Sequence, residues 1–156
     1  MEENVKLNAH NKEEYPPMHS CEHILNAVMG KLFGCSRSRN THIERKKSRC
    51  DYLLSHCPSE EDISDIEREV NEVITQNLPV TVEYVSSEEA AAMVDTGKLP
   101  RDVSETIRIV RIGDYDICAC IGTHVANTSE IGRFLITSYD YKEGVLRIRF
   151  KLMPKD

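Results

Sequence analysis

Long apolar runs are what this sequence most clearly lacks. None approaches the roughly 20 residues that a bilayer-crossing helix needs, so no membrane association is expected. Met1 to Pro17 is polar and charged, without the apolar stretch of a secretory signal. The expected compartment is therefore cytoplasmic, and the six cysteines read as reduced thiols rather than a disulfide scaffold. No phosphate-binding loop, dinucleotide fingerprint or serine nucleophile elbow is present, which removes the sequence support for ATP use and for Rossmann chemistry. Internal repeats and low-complexity tracts are absent as well, and 156 residues suit one domain.

Positive charge is in the minority, with a formal net charge of −6. Its distribution matters more than its sum. Lys31, Arg37, Arg39, Arg45, Lys46, Lys47 and Arg49 face one acid, Glu44, in that stretch. The next segment reverses the balance, since Glu60, Glu61, Asp62, Asp65, Glu67, Glu69 and Glu72 stand against Arg68 alone. A basic strip on an acidic body can hold a phosphate backbone while the remaining surface repels it; the alternative is two solvated faces. Lys31, Arg45, Lys46, Lys47 and Arg49 are accordingly the candidate contacts to RNA phosphates.

Periodicity predicts an α+β domain over residues 16–156, preceded by a loose tail over 1–15, and a monomer is expected. Pro16 and Pro17 open a helix whose apolar positions, Ile24, Leu25, Val28, Met29, Leu32 and Phe33, recur at helical spacing up to Gly34. Residues 35–58 read as a hairpin or irregular strands. Ser59 and Asp62 have capping-box spacing ahead of a second helix striped by Ile63, Ile66, Val70, Val73 and Ile74. A strand over Val80–Val85, a short helix capped by Ser86 or Ser87 and running through Val94, and a loop over Gly97–Asp102 follow. Four strand-like runs complete the chain, at Thr106–Ile112, Tyr115–Cys120, Arg133–Tyr139 and Val145–Met153. Helices early and strands late imply helices packed on one face of a mainly antiparallel sheet.

His19 and His23 lie four residues apart on the first helix, so both imidazoles leave one face and can reach one ion. Cys120 and His124 repeat that spacing a hundred residues later, at a strand end. One such pair is weak evidence. Two pairs, drawing on six cysteines and six histidines, are harder to assign to chance. Three imidazoles and a thiolate suit tetrahedral Zn²⁺, with Cys118 as the one credible substitute ligand. Cys21 lies about 200° around the helix from His19 and belongs to packing. Glu22 points off the ligand face and is given no catalytic role.

Four segments occur in order: HSCEHILNAVMGKLFG at 19–34, ISDIEREVNEVI at 63–74, PVTVEYVSSEEAAAM at 79–93 and IRIVRIGDYDICACIGTHVANTSEIGRF at 107–134. Together they resemble the second additional domain shared by alanyl- and threonyl-tRNA synthetases, and within it AlaX, the free-standing alanyl-tRNA editing proteins. The likeness runs from His19 to about Met153. It implies a zinc-dependent hydrolysis of the ester joining a wrong amino acid to tRNA, chiefly Ser or Gly on alanine tRNA. His19, His23, Cys120 and His124 fall on its metal motif, and Thr123, Asn127 and Glu130 to Gly132 on the neighbouring signature.

The resemblance also implies a threonine after the first helix that reads the substrate hydroxyl, for which Thr41 is the nearest candidate. Only 18 residues precede His19, as in the short type that lacks a glycine-rich barrel. Ile121 stands where the family commonly has glycine, which leaves less room near the metal. The alternatives are a metal-dependent hydrolase of another aminoacyl ester, and an inactive, zinc-stabilised tRNA-binding module.

Overall fold

Proline has no backbone N–H to leave unsatisfied, and Pro16 and Pro17 open helix α1 (Pro16–Phe33) without any side-chain cap. Gly34 closes it in the left-handed region, at φ 69°, donating its N–H to Gly30 O at 2.8 Å. The computed structural model describes residues 15–44, 46–93 and 106–154. The expected tail, Tyr15 apart, and the loop over Gly97–Asp102 lie outside them. Ser59 caps α2 (Glu60–Ile74) through the capping box its spacing predicts, with Asp62 N–H on Ser59 Oγ at 3.0 Å and Ser59 N–H on Asp62 Oδ2 at 2.9 Å. Ser86 does the same for the short α3 (Ser87–Met93), exchanging bonds of 3.0 Å with Glu89.

The strands form two antiparallel sheets rather than one. β1 (Asn40–Ile43), β2 (Ser48–Leu53), β6 (Arg133–Lys142) and β7 (Val145–Met153) make a four-stranded sheet in the order β1-β2-β7-β6. β3 (Val80–Ser86), β4 (Thr106–Ile112) and β5 (Asp116–Ala119) make a three-stranded one in the order β3-β4-β5. The β6–β7 turn is Glu143-Gly144, at φ 54° and 84°, the positive pair that a two-residue hairpin needs to match strand twist.

Strand alternation then sorts the residues of the larger sheet. Cys50, Tyr52, Leu146, Ile148 and Phe150 point inward and are fully buried against Met18, Cys21, Leu25 and Val28 of α1 and Ile66 and Val70 of α2. A smaller core of Ala90, Ile107 and Ile109 lies between the smaller sheet and α3. Buried Asn26 ties the layers together: Oδ1 accepts Tyr52 O–H at 2.6 Å and Ser38 N–H at 3.2 Å, while Nδ2 donates to Glu22 Oε2 at 2.6 Å. The architecture is α+β, and no helix among the described residues is long and apolar enough to cross a membrane.

On the outward side of the larger sheet Arg147 grips Asp51 with two bonds, of 2.8 and 2.9 Å. Those bonds hold the Asp51 carboxyl below the ordinary carboxylate range, against the effect of its own burial. The pair's contribution is present above the unfolded carboxylate value of about 3.9 and is lost as pH falls through the lower folded value. Asp51→Asn is expected to lower the melting temperature at pH 7 and to narrow the gap between pH 7 and pH 3 melts followed by circular dichroism. An unchanged gap would contradict the assignment.

Candidate metal centre

α1 carries His19 and His23 one turn apart, and the chain leaving β5 carries Cys120 and His124. The structure brings one donor atom of each to within 4.8 Å of all the others. Cys120 Sγ lies 3.5 Å from His19 Nε2. The His19 and His124 rings stack at 4.2 Å between centroids, and His23 stands edge-on to them at 5.0 and 4.5 Å.

Each ring is oriented by a partner outside the group. His19 Nδ1 donates to Thr123 O at 3.0 Å, which turns Nε2 toward Cys120 Sγ. His124 Nδ1 meets Ser20 Oγ at 2.9 Å, and the same hydroxyl accepts Val125 N–H at 3.2 Å. His23 Nδ1 lies 3.7 Å from Asp116 Oδ2, and Nε2 lies 3.8 Å from Glu22 Oε1. Glu22 therefore approaches the centre more closely than its helical position suggests, held there by Asn26.

The loop itself is clamped from both sides. Arg108 on β4 donates to Cys120 O at 2.9 Å and Gly122 O at 2.6 Å, while its own carbonyl accepts Cys120 N–H at 3.1 Å. Further on, Val80 N–H binds Ala126 O at 2.9 Å, and buried Thr128 donates its hydroxyl to Ile74 O at 3.0 Å. Sequence reasoning missed Ser20, Arg108 and Asp116, because none belongs to a recognisable spacing. Arg37, counted in the basic strip, turns inward instead. Its Nη1 and Nη2 bind the two oxygens of Asp116 at 3.1 and 3.2 Å, and the Asp116 side chain is only 6% exposed.

Burial by itself would raise the Cys120 thiol; the neighbouring rings of His124, His19 and His23, with the charge on His23, bring it down to about 3. Burial would lower His23, but Asp116 and Cys120 push it well above the ordinary histidine value. Cys120 is thus in the thiolate form that ligates a metal, and a cation entering the group would take the place of the proton on His23. His23 Nδ1 and His124 Nε2 are also buried without a hydrogen-bond partner. Orphaned nitrogens beside a thiolate are what a bound cation satisfies, so the residues fit a metal ion.

Residues 107–149, which include the Cys120 and His124 pair, match the model of the threonyl and alanyl tRNA synthetase second additional domain. The chain belongs to this domain family. It is 30% identical to an alanine–tRNA ligase of Idiomarina loihiensis over 135 residues, which cover 86% of this chain and 16% of the ligase. An alanine–tRNA ligase of Halorhodospira halophila is 33% identical over 138 residues, covering 83% and 15%. One from Methanococcus vannielii is 30% identical over 152 residues, covering 93% and 17%. The chain thus spans about a sixth of the length of these curated relatives.

Within this second additional domain the other expected residues are more scattered. Thr123 orients His19 through its carbonyl. The Asn127 side chain is engaged in the loop, accepting Ser129 N–H at 2.8 Å and donating to Asn77 O at 3.1 Å. Thr41, on the edge strand β1, donates to Ser38 Oγ at 2.7 Å. Ile121 is 60% exposed, so its branched side chain stands in solvent rather than packing inward. Cys118 lies outside the group of four. The basic strip does not form one surface: Lys31 on α1 binds Glu69 Oε2 at 2.8 Å, whereas Arg49 leaves the side of the sheet turned away from α1 and α2. Lys46 and Lys47 are exposed at the β1–β2 turn, and Arg45 lies outside the described residues.

With its thiol held ionised, Cys120 is expected to react with iodoacetamide at pH 6 ahead of the buried Cys21 and Cys50, whose thiols burial pushes up. Zn²⁺ added beforehand should protect it. Peptide mapping by mass spectrometry reads both effects, and labelling of Cys120 indifferent to Zn²⁺ would speak against the centre.

Proposed function

We propose that this chain is a zinc-dependent aminoacyl-tRNA deacylase that hydrolyses the ester of Ser- or Gly-charged alanine tRNA. The observation that carries the reading is the convergence of His19, His23, Cys120 and His124 in a domain related to alanine–tRNA ligases. His19, His23 and Cys120 would hold the ion, with His124 or an exchangeable ligand completing its shell. A bound Zn²⁺ would supply Lewis acidity for ester hydrolysis.

The chain's own groups do the positioning. The Thr123 carbonyl and the Ser20 hydroxyl fix the two stacked rings, while the Arg37–Asp116 pair braces the ring of His23. Ile121 and Thr123, both exposed, flank the thiolate where a substrate would enter. Thr41 and Asn127 are the further candidates for substrate contact. Lys31, Arg45, Lys46, Lys47 and Arg49 are those for the tRNA.

The need for such a site is chemical. A synthetase pocket sized for alanine discriminates against an amino acid one small group different by only about 10–200-fold, so a second hydrolytic site must follow. That site accepts serine and refuses alanine if it hydrogen-bonds the hydroxyl, because alanine leaves the partner unpaired.

Metal analysis joined to deacylation of Ser-, Gly- and Ala-charged alanine tRNA tests the reading. Serine should be released at least about 100-fold faster than alanine. Cys120→Ala should lose bound metal and turnover together, and Ile121→Gly should keep the metal and raise activity or broaden the substrate range. Full activity in Cys120→Ala would overturn the metal mechanism. Hydrolysis by Ile121→Gly but not by wild type would identify an inactive tRNA-binding module.

A further inference from the structure

The register of the four-stranded sheet places cations side by side on the face turned away from α1 and α2. Arg49 of β2 lies directly opposite Arg149 of β7, and Asp51 opposite Arg147. Lys151 follows Arg149 at the next outward position of β7, about 6.8 Å along the strand. On β6, Arg133 and Leu135 share this face at the same end of the sheet.

The acids there are already engaged. Asp51 holds Arg147 at 2.8 Å, Asp140 holds Arg149 at 2.9 Å, and Glu44 holds His42 at 2.6 Å. Arg49 and Lys151 have no ion pair among the described residues, and Arg49 Nε is buried without a hydrogen-bond partner. Like charges directly opposite on neighbouring strands are destabilising. Asp140 offsets that repulsion at Arg149, which leaves Arg49 and Lys151 among the cations available to an anion on this face, in a chain of net charge −6.

We propose that this outward face is a second RNA-binding surface, which grips phosphodiester backbone without reading sequence. The inference rests on the tRNA reading above and extends it to a surface separate from the metal centre, since α1 and its histidines lie on the other side of the sheet. Charge complementarity selects the occupant. The outward strand positions carry no Phe, Tyr or Trp, so the face has neither the aromatic anchors of a protein interface nor the stacking platforms of a base-reading one. What it offers is a row of cations at strand spacing, which contacts phosphates and positions the RNA.

The test uses full-length, metal-loaded protein, with uncharged alanine tRNA and an unrelated RNA hairpin as probes, titrated by fluorescence anisotropy from 50 to 200 mM salt. The triple variant Arg49→Gln, Arg149→Gln, Lys151→Gln should bind both RNAs on the order of tenfold more weakly. Its salt dependence should flatten by about 0.9 for each phosphate contact removed. Unchanged metal content and far-UV circular dichroism verify that the variant is folded. Wild-type affinity and slope in that variant would overturn the proposal, as would a loss confined to alanine tRNA. Loss of polyglutamate binding without loss of RNA binding would assign the face to an acidic protein segment instead. A wild-type protein that deacylates nothing, yet loses RNA binding in the variant, would defeat the deacylase reading and leave this surface standing.

Discussion

Three imidazoles and a thiolate held within 4.8 Å of one another are the constraint around which this structure is arranged. Left to solvent, such groups would separate or take up protons until their charges repelled. They stay together because each is tied from outside the group. Thr123 O holds His19, Ser20 Oγ holds His124, Arg108 holds both carbonyls of the Cys120–Gly122 turn, and the Arg37–Asp116 pair stands behind His23. These ties come from α1, the segment after it, β4, β5 and the loop, so the centre needs most of the fold in place before it exists.

Helix α1 serves two layers because of its own period. Met18, Cys21, Leu25 and Val28 enter the core beneath the larger sheet, while His19 and His23 leave another side toward β5. Burying the apolar stripe therefore aims the histidines. The Asn26 network adds a fixed polar link between that helix and β2, so the side chains beside it have few alternative positions.

Charge is partitioned as firmly as polarity. The acids of α2 and the cations of the outward sheet face lie on different sides of the molecule, which lets a chain of net charge −6 present a local anion-binding surface. A polyanion approaching such a surface would be repelled over much of it and attracted over one face.

Local spacing was legible in advance. The caps at Ser59 and Gly34, the helical stripe of Ile63 to Ile74, the strands of the C-terminal half and the His19–His23 pair follow from helix and strand periods that neighbouring residues set among themselves, whereas Cys120 and His124 share a spacing but lie in a loop. The division into two sheets did not follow, because strand alternation specifies which face a residue takes but not which strand lies beside it. Arg37 illustrates the limit: in sequence it is one cation of a basic strip, and only the folded chain brings Asp116 against it. The strip from Lys31 to Arg49 came apart for the same reason, since α1 and β2 place its members on opposite sides of one sheet. The sequence by itself determined which residues have ligand chemistry and which elements carry them. Tertiary structure decided their partners, because a contact between distant residues depends on strand register and helix packing, which no local spacing encodes.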